Sequence, residues 1–137
     1  ISPRKMLYSL FVKKKSASAT NSIIDVECRE VNGKQCLFFT FKGFFDEKSS
    51  IALTNKWKRL MKEKTSEKVC MICDCYDMEN YDALGRINFQ NTIKEFQQEI
   101  ETFWILTENR TIKYGGMIMG MLLNFPLKVV TKLEEVK

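Results

Sequence analysis

The stretch IIDVECREVNGKQCLFFTFKG, residues 23–43, decides the fold. Ile24, Val26 and Cys28 alternate with Asp25, Glu27 and Arg29, the period of a strand wet on one face. Asn32-Gly33 follows, the pair best suited to a type I′ hairpin turn, so an antiparallel partner is expected next. QCLFFTFKG at 35–43 is that partner, and it is apolar on both faces, which marks an interior strand rather than an edge. An interior strand requires further strands beyond it.

Toward the carboxyl end the sequence supplies them. Asp46 to Ser50 offers capping chemistry, and Leu53, Trp57, Leu60 and Met61, spaced i, i+4, i+7, i+8, predict an amphipathic helix ending near Lys64. VCMICDC at 69–75 is a second interior strand. After a polar loop from Asp77 to Asp82, the residues Phe89, Ile93, Phe96 and Ile100 predict a second helix. FWILT at 103–107 is another strand, Glu108-Asn109 a cap, 111–124 a third helix, and LKVVTKL at 127–133 a last strand past Pro126. A hairpin followed by repeated helix and strand is an α/β pattern with parallel strands and right-handed crossovers. The expected architecture is a mixed sheet of about five strands, the first antiparallel, with three main helices. In the third helix, Gly115, Gly116 and Gly120 accompany Met117, Met119 and Met121. The segment is too short, and too bounded by Arg110, Lys113 and Pro126, for a membrane dimer motif. Close packing on the sheet is the reading preferred, with pliable methionines able to line a cavity or an adaptable contact surface.

Toward the amino end, residues 1–21 read as a basic arm or linker, an apolar patch MLYSLFV at 6–12 and then a KKKSASATNS run from 13, ahead of one domain at 22–137. The arm is a candidate for pairing two copies of the chain. The chain has 137 residues, 45% of them hydrophobic, with 6 Gly and 2 Pro, which fits one globular domain and argues against disorder. No run of about 18 apolar residues suggests a membrane span. There are 22 bases against 17 acids, but Arg4, Lys5, Lys13, Lys14 and Lys15 lie in the first 20 residues, which hold no acid. The rest is balanced, so no nucleic-acid partner is expected. Five cysteines are expected to be reduced thiols of a cytoplasmic protein. In the second interior strand, period 2 places Cys73 and Cys75 on one face and Cys70 on the other, which disfavours a metal set.

No histidine is present, which removes the usual proton shuttle and the Ser-His and Cys-His nucleophile pairs. Acid-base work would fall to Asp74, Asp77, Glu79 and Asp82, near the carboxyl ends of strands where a doubly wound sheet binds ligands. Their spacing fits neither an EF-hand loop nor a Walker motif, and no cofactor is expected. Asp82 is assigned as a helix cap.

The order of elements and the segment 74–86 are similar to the STAS domain, the fold of the bacterial sporulation anti-sigma-factor antagonists, over residues 22–137. In that family a strand-end Asp leads through a short loop to Asp-Ser-Ser-Gly at the entry of a helix, and a partner kinase phosphorylates the second Ser. Asp74 matches the strand-end Asp, and Asp82-Ala83-Leu84-Gly85 occupies the helix entry. Both serines are replaced, so the phosphate switch does not carry over. The resemblance implies a non-catalytic binding or regulatory module that recognises a protein partner or a small apolar or anionic ligand. Its expected surface comprises Asp74, Tyr76, Asp77, Tyr81, Asp82, Ala83, Leu84, Gly85 and Arg86, with an aromatic anchor and a polar rim. The plainer reading of two of them has Tyr81 covering the helix end and Arg86 pairing with Asp82 at i, i+4. The alternatives are a metal-dependent enzyme using the acidic loop 74–82 and a self-associating structural module.

Overall fold

The computed structural model describes residues 22–124 and 127–136. The arm, and the pairing of copies assigned to it, lie outside the described residues. Strand β1 (Ile23–Val31) pairs antiparallel with β2 (Lys34–Phe45), in register from Ile23↔Lys42 to Val31↔Lys34. Asn32 and Gly33 both have positive φ, 52° and 78°, as the type I′ turn demands. Asn32 Nδ2 also donates to the carbonyl of Val136 at 2.6 Å, so the turn is clasped by the far end of the domain.

Beyond β2 lie β3 (Val69–Asp74), β5 (Ile100–Leu106) and β6 (Leu127–Val130), all parallel, in the order β1-β2-β3-β5-β6. The connections are α1 (Glu47–Glu63), α2 (Ala83–Phe96) and α3 (Arg110–Leu123). The parallel strands advance in one direction without reversal, so right-handed crossovers send every helix to the same face. There they lie: Leu53 and Trp57 of α1, Phe89 and Ile93 of α2, and Ile112 and Met119 of α3 share one core with Leu37, Phe39, Met71, Phe103 and Ile105 of the sheet. The opposite face carries a smaller cluster of Cys36, Phe38, Cys70, Ile72, Trp104 and Leu106, closed in part by Val136. Arg29 and Lys128 lie over the Phe38 and Trp104 rings of this face.

Three expectations need correcting. The last strand, expected over 127–133, stops at Val130, and Leu133–Glu135 forms a 3₁₀ turn instead. The segment expected as a polar loop contains strand β4 (Met78–Tyr81), which pairs in parallel with the extension of β2, Gly43–Phe45. Ile100, expected on the second helix, opens β5, because the helix ends at Phe96 and one 3₁₀ turn, Gln97–Glu99, intervenes.

The caps follow from the sequence. In α1 the Ser49 N–H donates to Asp46 Oδ1 at 2.8 Å and the Asp46 N–H donates to Ser49 Oγ at 3.0 Å, a reciprocal capping box. Asp46→Ala is expected to remove about 1 kcal/mol of stability. The Ser49 backbone hydrogen bond holds the Asp46 carboxyl below its ordinary value. A depressed carboxylate stabilises the fold above its unfolded pKa of about 4, and that share is lost as pH falls through the lower folded value. Urea titrations of wild type and variant over a pH series should therefore show their difference shrinking on acidification.

Candidate functional site

The carboxyl ends of β2, β3 and β4 converge with the amino ends of α1 and α2. Asp82 joins the two helices: its Oδ1 accepts the Gly85 N–H at 2.6 Å and its Oδ2 accepts the Glu47 N–H at 3.3 Å. The cap assigned from sequence is therefore a bridge across two helix entries. Gly85 is buried there, and a β carbon on it would sit 3.0 Å from the carbonyl oxygens of both Phe45 and Asp46. The glycine of the helix entry thus has a packing role.

Apart from Asp82 and Gly85, the residues expected to form one surface divide into three groups. Asp74 accepts the Tyr76 N–H at 3.2 Å and shapes its own loop. The exposed Tyr76 phenol is held above its ordinary pKa by burial and by the carboxylates of Glu108, Asp74, Glu134 and Glu135. Asp77 is exposed, and its carbonyl accepts the Gly43 N–H at 2.9 Å. Ala83 and Leu84 face solvent at the start of α2. Tyr81 and Arg86 turn the other way, toward the space between α2, α3 and the sheet. Tyr81 is half-buried against the core, where it was expected as an exposed anchor. Arg86 donates to Gln90 Oε1 at 3.3 Å, not to Asp82 as the plainer reading had it; the Asp82 carboxylate is already engaged by the two helix N–H groups.

Between α2, α3 and the sheet lies a cavity of about 70 Å³. Its walls are rings and alkyl groups, among them Phe41, Phe89, Phe103, Ile105, Ile112 and Met119, and its surface is almost wholly apolar; Tyr81 and Arg86 are lining residues that carry a polar end. Cys73 and Cys75 also line it, and burial pushes both thiols well above the ordinary value, so they are neutral wall groups. The room arises from α3. Gly115 and Gly116 carry no β carbon where one would lie 2.7 Å from the Tyr81 hydroxyl and 2.6 Å from Ile105 Cδ1, respectively. The Gly-Gly and methionine pattern was the signal for this cavity; spacing alone could not say which methionine enters. Met119 is inside, whereas Met121 is 80% exposed. Together with Tyr114, Met117, Ile118 and Leu122, Met121 gives α3 a second apolar stripe that faces outward.

The acids of 74–82 do not gather into a ligand set: among the described residues no three or more His, Cys, Asp or Glu side chains lie close enough to hold a metal ion. The strand order also lacks the reversal at which a doubly wound sheet opens a crevice. No helix of the described residues is long and apolar enough to cross a membrane.

No protein-family model and no curated protein matches the chain. Among solved structures it is similar to an uncharacterized protein of the DUF3478 family with a SpoIIAA-like fold from Shewanella loihica. The TM-score is 0.70 at 8% identity, over 83% of this chain and 90% of that one. The chain has the SpoIIAA-like, STAS-like fold.

Proposed function

We propose that the domain is a non-catalytic binding module that takes a small ligand with an apolar body and an anionic end into the cavity between α2, α3 and the sheet. The observation that carries this reading is the cavity itself, apolar throughout its walls, with Arg86 and Tyr81 among the residues that line it. Few placed polar groups in an apolar concavity are what orient a small ligand. Arg86 has five N–H donors, of which one meets Gln90, so the planar fork suits a carboxylate. At about 70 Å³ the space holds only a short chain as it stands, and the unbranched Met78 and Met119 in its walls are the side chains best able to yield to a longer one. The helix entry offers Ala83 and Leu84 instead of hydroxyls, which fits recognition without a phosphate switch.

Straight-chain carboxylates from hexanoate to dodecanoate should raise the melting temperature, increasingly with length. A ligand at a hundred times its Kd adds about 2.7 kcal/mol. Gly115→Leu, which fills the wall facing Tyr81, should weaken binding at least about tenfold, equivalent to 1.4 kcal/mol, and Arg86→Gln should weaken the carboxylates more than the corresponding alcohols. Stabilisation by none of them, or stabilisation unchanged in Gly115→Leu, refutes the reading.

A second reading, recognition of a protein partner at the entry of α2, is favoured by Leu84 and Ile87, both exposed on the outward side of that helix. An exposed apolar pair there suits the modest interface that the resemblance implies.

A further inference from the structure

The face of the sheet away from the helices holds chemistry that the cavity does not use. Cys36 on β2 and Cys70 on β3 are register partners on adjacent parallel strands, and Cys70 is in turn the partner of Thr102 on β5. All three side chains point to the same face. The Cys36 thiol donates to the Lys34 carbonyl at 3.6 Å beside Cys70, and Thr102 Oγ1 donates to Cys70 Sγ at 3.0 Å. Paired positions on neighbouring strands are about 4.8 Å apart, inside the Cα separation of roughly 4.4–6.8 Å that a disulfide accepts. Cys28 is exposed and stands opposite Leu37, on the helix side of the sheet, and Cys73 and Cys75 belong to the helix-side core. The pair is therefore Cys36 with Cys70.

We infer that Cys36 and Cys70 form a dithiol that hydrogen peroxide converts to a cross-strand disulfide, making this face of the sheet a thiol oxidation site. Roles are set by the surroundings of each sulfur. The neighbouring Cys36 thiol, then the Thr102 hydroxyl and the Lys34 charge, hold the Cys70 thiol below its ordinary value against burial and the Glu101 carboxylate. The proximity of Cys70, then burial, pushes the Cys36 thiol up. The thiolate of Cys70 is thus the attacking sulfur and Cys36 the resolving thiol.

In the first step a bond forms between Cys70 Sγ and one peroxide oxygen as the O–O bond breaks. Hydroxide leaves and takes up a proton to become water. In the second, Cys36 attacks the sulfenic sulfur; the S–S bond forms, the S–O bond breaks, and a second water departs with the Cys36 proton. Two thiols are oxidised and one peroxide is reduced to two waters. Both cysteines are buried, while Thr102 at the end of the row is half-buried and is the nearest of the three to solvent.

The test uses the whole chain carrying Cys28→Ser, which removes the exposed thiol. Peroxide at neutral pH should abolish two thiols together, and a non-reducing peptide map should show Cys36 linked to Cys70, reversed by dithiothreitol. In Cys36→Ser, dimedone should label Cys70 as its sulfenic acid. In Thr102→Val, the pH midpoint of Cys70 alkylation should rise. The inference is overturned if the native chain keeps both thiols under peroxide, if Cys70 passes to sulfinic acid without linkage, or if the midpoint is unmoved in Thr102→Val. The peptide map of the Cys28→Ser chain decides the matter even where the other variants fail to fold.

Discussion

Phe89→Ala is expected to destabilise the domain by about 3–5 kcal/mol, a large part of the 5–15 kcal/mol that holds a typical domain together. Phe89 is the one ring of α2 that meets every layer of the helix-side core. Its centroid lies 5.6 Å from Phe39, 5.5 Å from Phe41 and 6.1 Å from Phe45 on β2, 5.3 Å from Trp57 on α1 and 6.4 Å from Phe103 on β5. Most of these contacts are edge-on, the arrangement that adds about 0.5–1.5 kcal/mol per pair beyond area burial. Removing the ring deletes all five contacts, four of them edge-on, and enlarges an existing cavity, whose wall cannot collapse because the sheet behind it is fixed by its ladders. A urea midpoint within a few tenths of molar of wild type would contradict this account.

Gly85→Val should cost about 1–3 kcal/mol and weaken the junction of α1 with α2. A β carbon would meet two backbone carbonyl oxygens at 3.0 Å, and neither can swing aside as a side-chain end could. The helix entry would have to retreat, stretching both hydrogen bonds to Asp82. Gly115→Ala, whose β carbon meets only the movable Tyr81 hydroxyl, serves as the mild control. Equal midpoints for the two variants would show that the close approach at Gly85 carries no stability.

Much of this architecture was legible because local signals and the sheet agreed. Alternation in Ile24 to Cys28, the Asn32-Gly33 turn and the two-sided apolar run after it fixed the hairpin and the interior position of β2. The short strand β4 was illegible. Its four residues, Met78, Glu79, Asn80 and Tyr81, have no period of their own, and they become a strand only because β2 runs on to Phe45 and offers an unpaired edge. The candidate site was harder still. Tyr81 and Arg86 were named, yet their direction depends on the end of β4 and on the glycines of α3, which spacing along the chain cannot convey. Asp82 was identified as a cap, but its second hydrogen bond links residues 35 apart and follows only from the fold.

The hydrogen bond between Asn32 and the Val136 carbonyl joins residues 104 apart. At the usual pace of translation, about 5–20 residues per second, the hairpin emerges from the ribosome roughly 5–20 seconds before its fastener does. Throughout that interval β2 shows water two greasy sides with no neighbour from later in the chain. Shielding of the nascent polypeptide by a chaperone thus matters most for the earliest part of the domain, and the segment that carries Val136, by its late arrival, sets the moment at which it can let go.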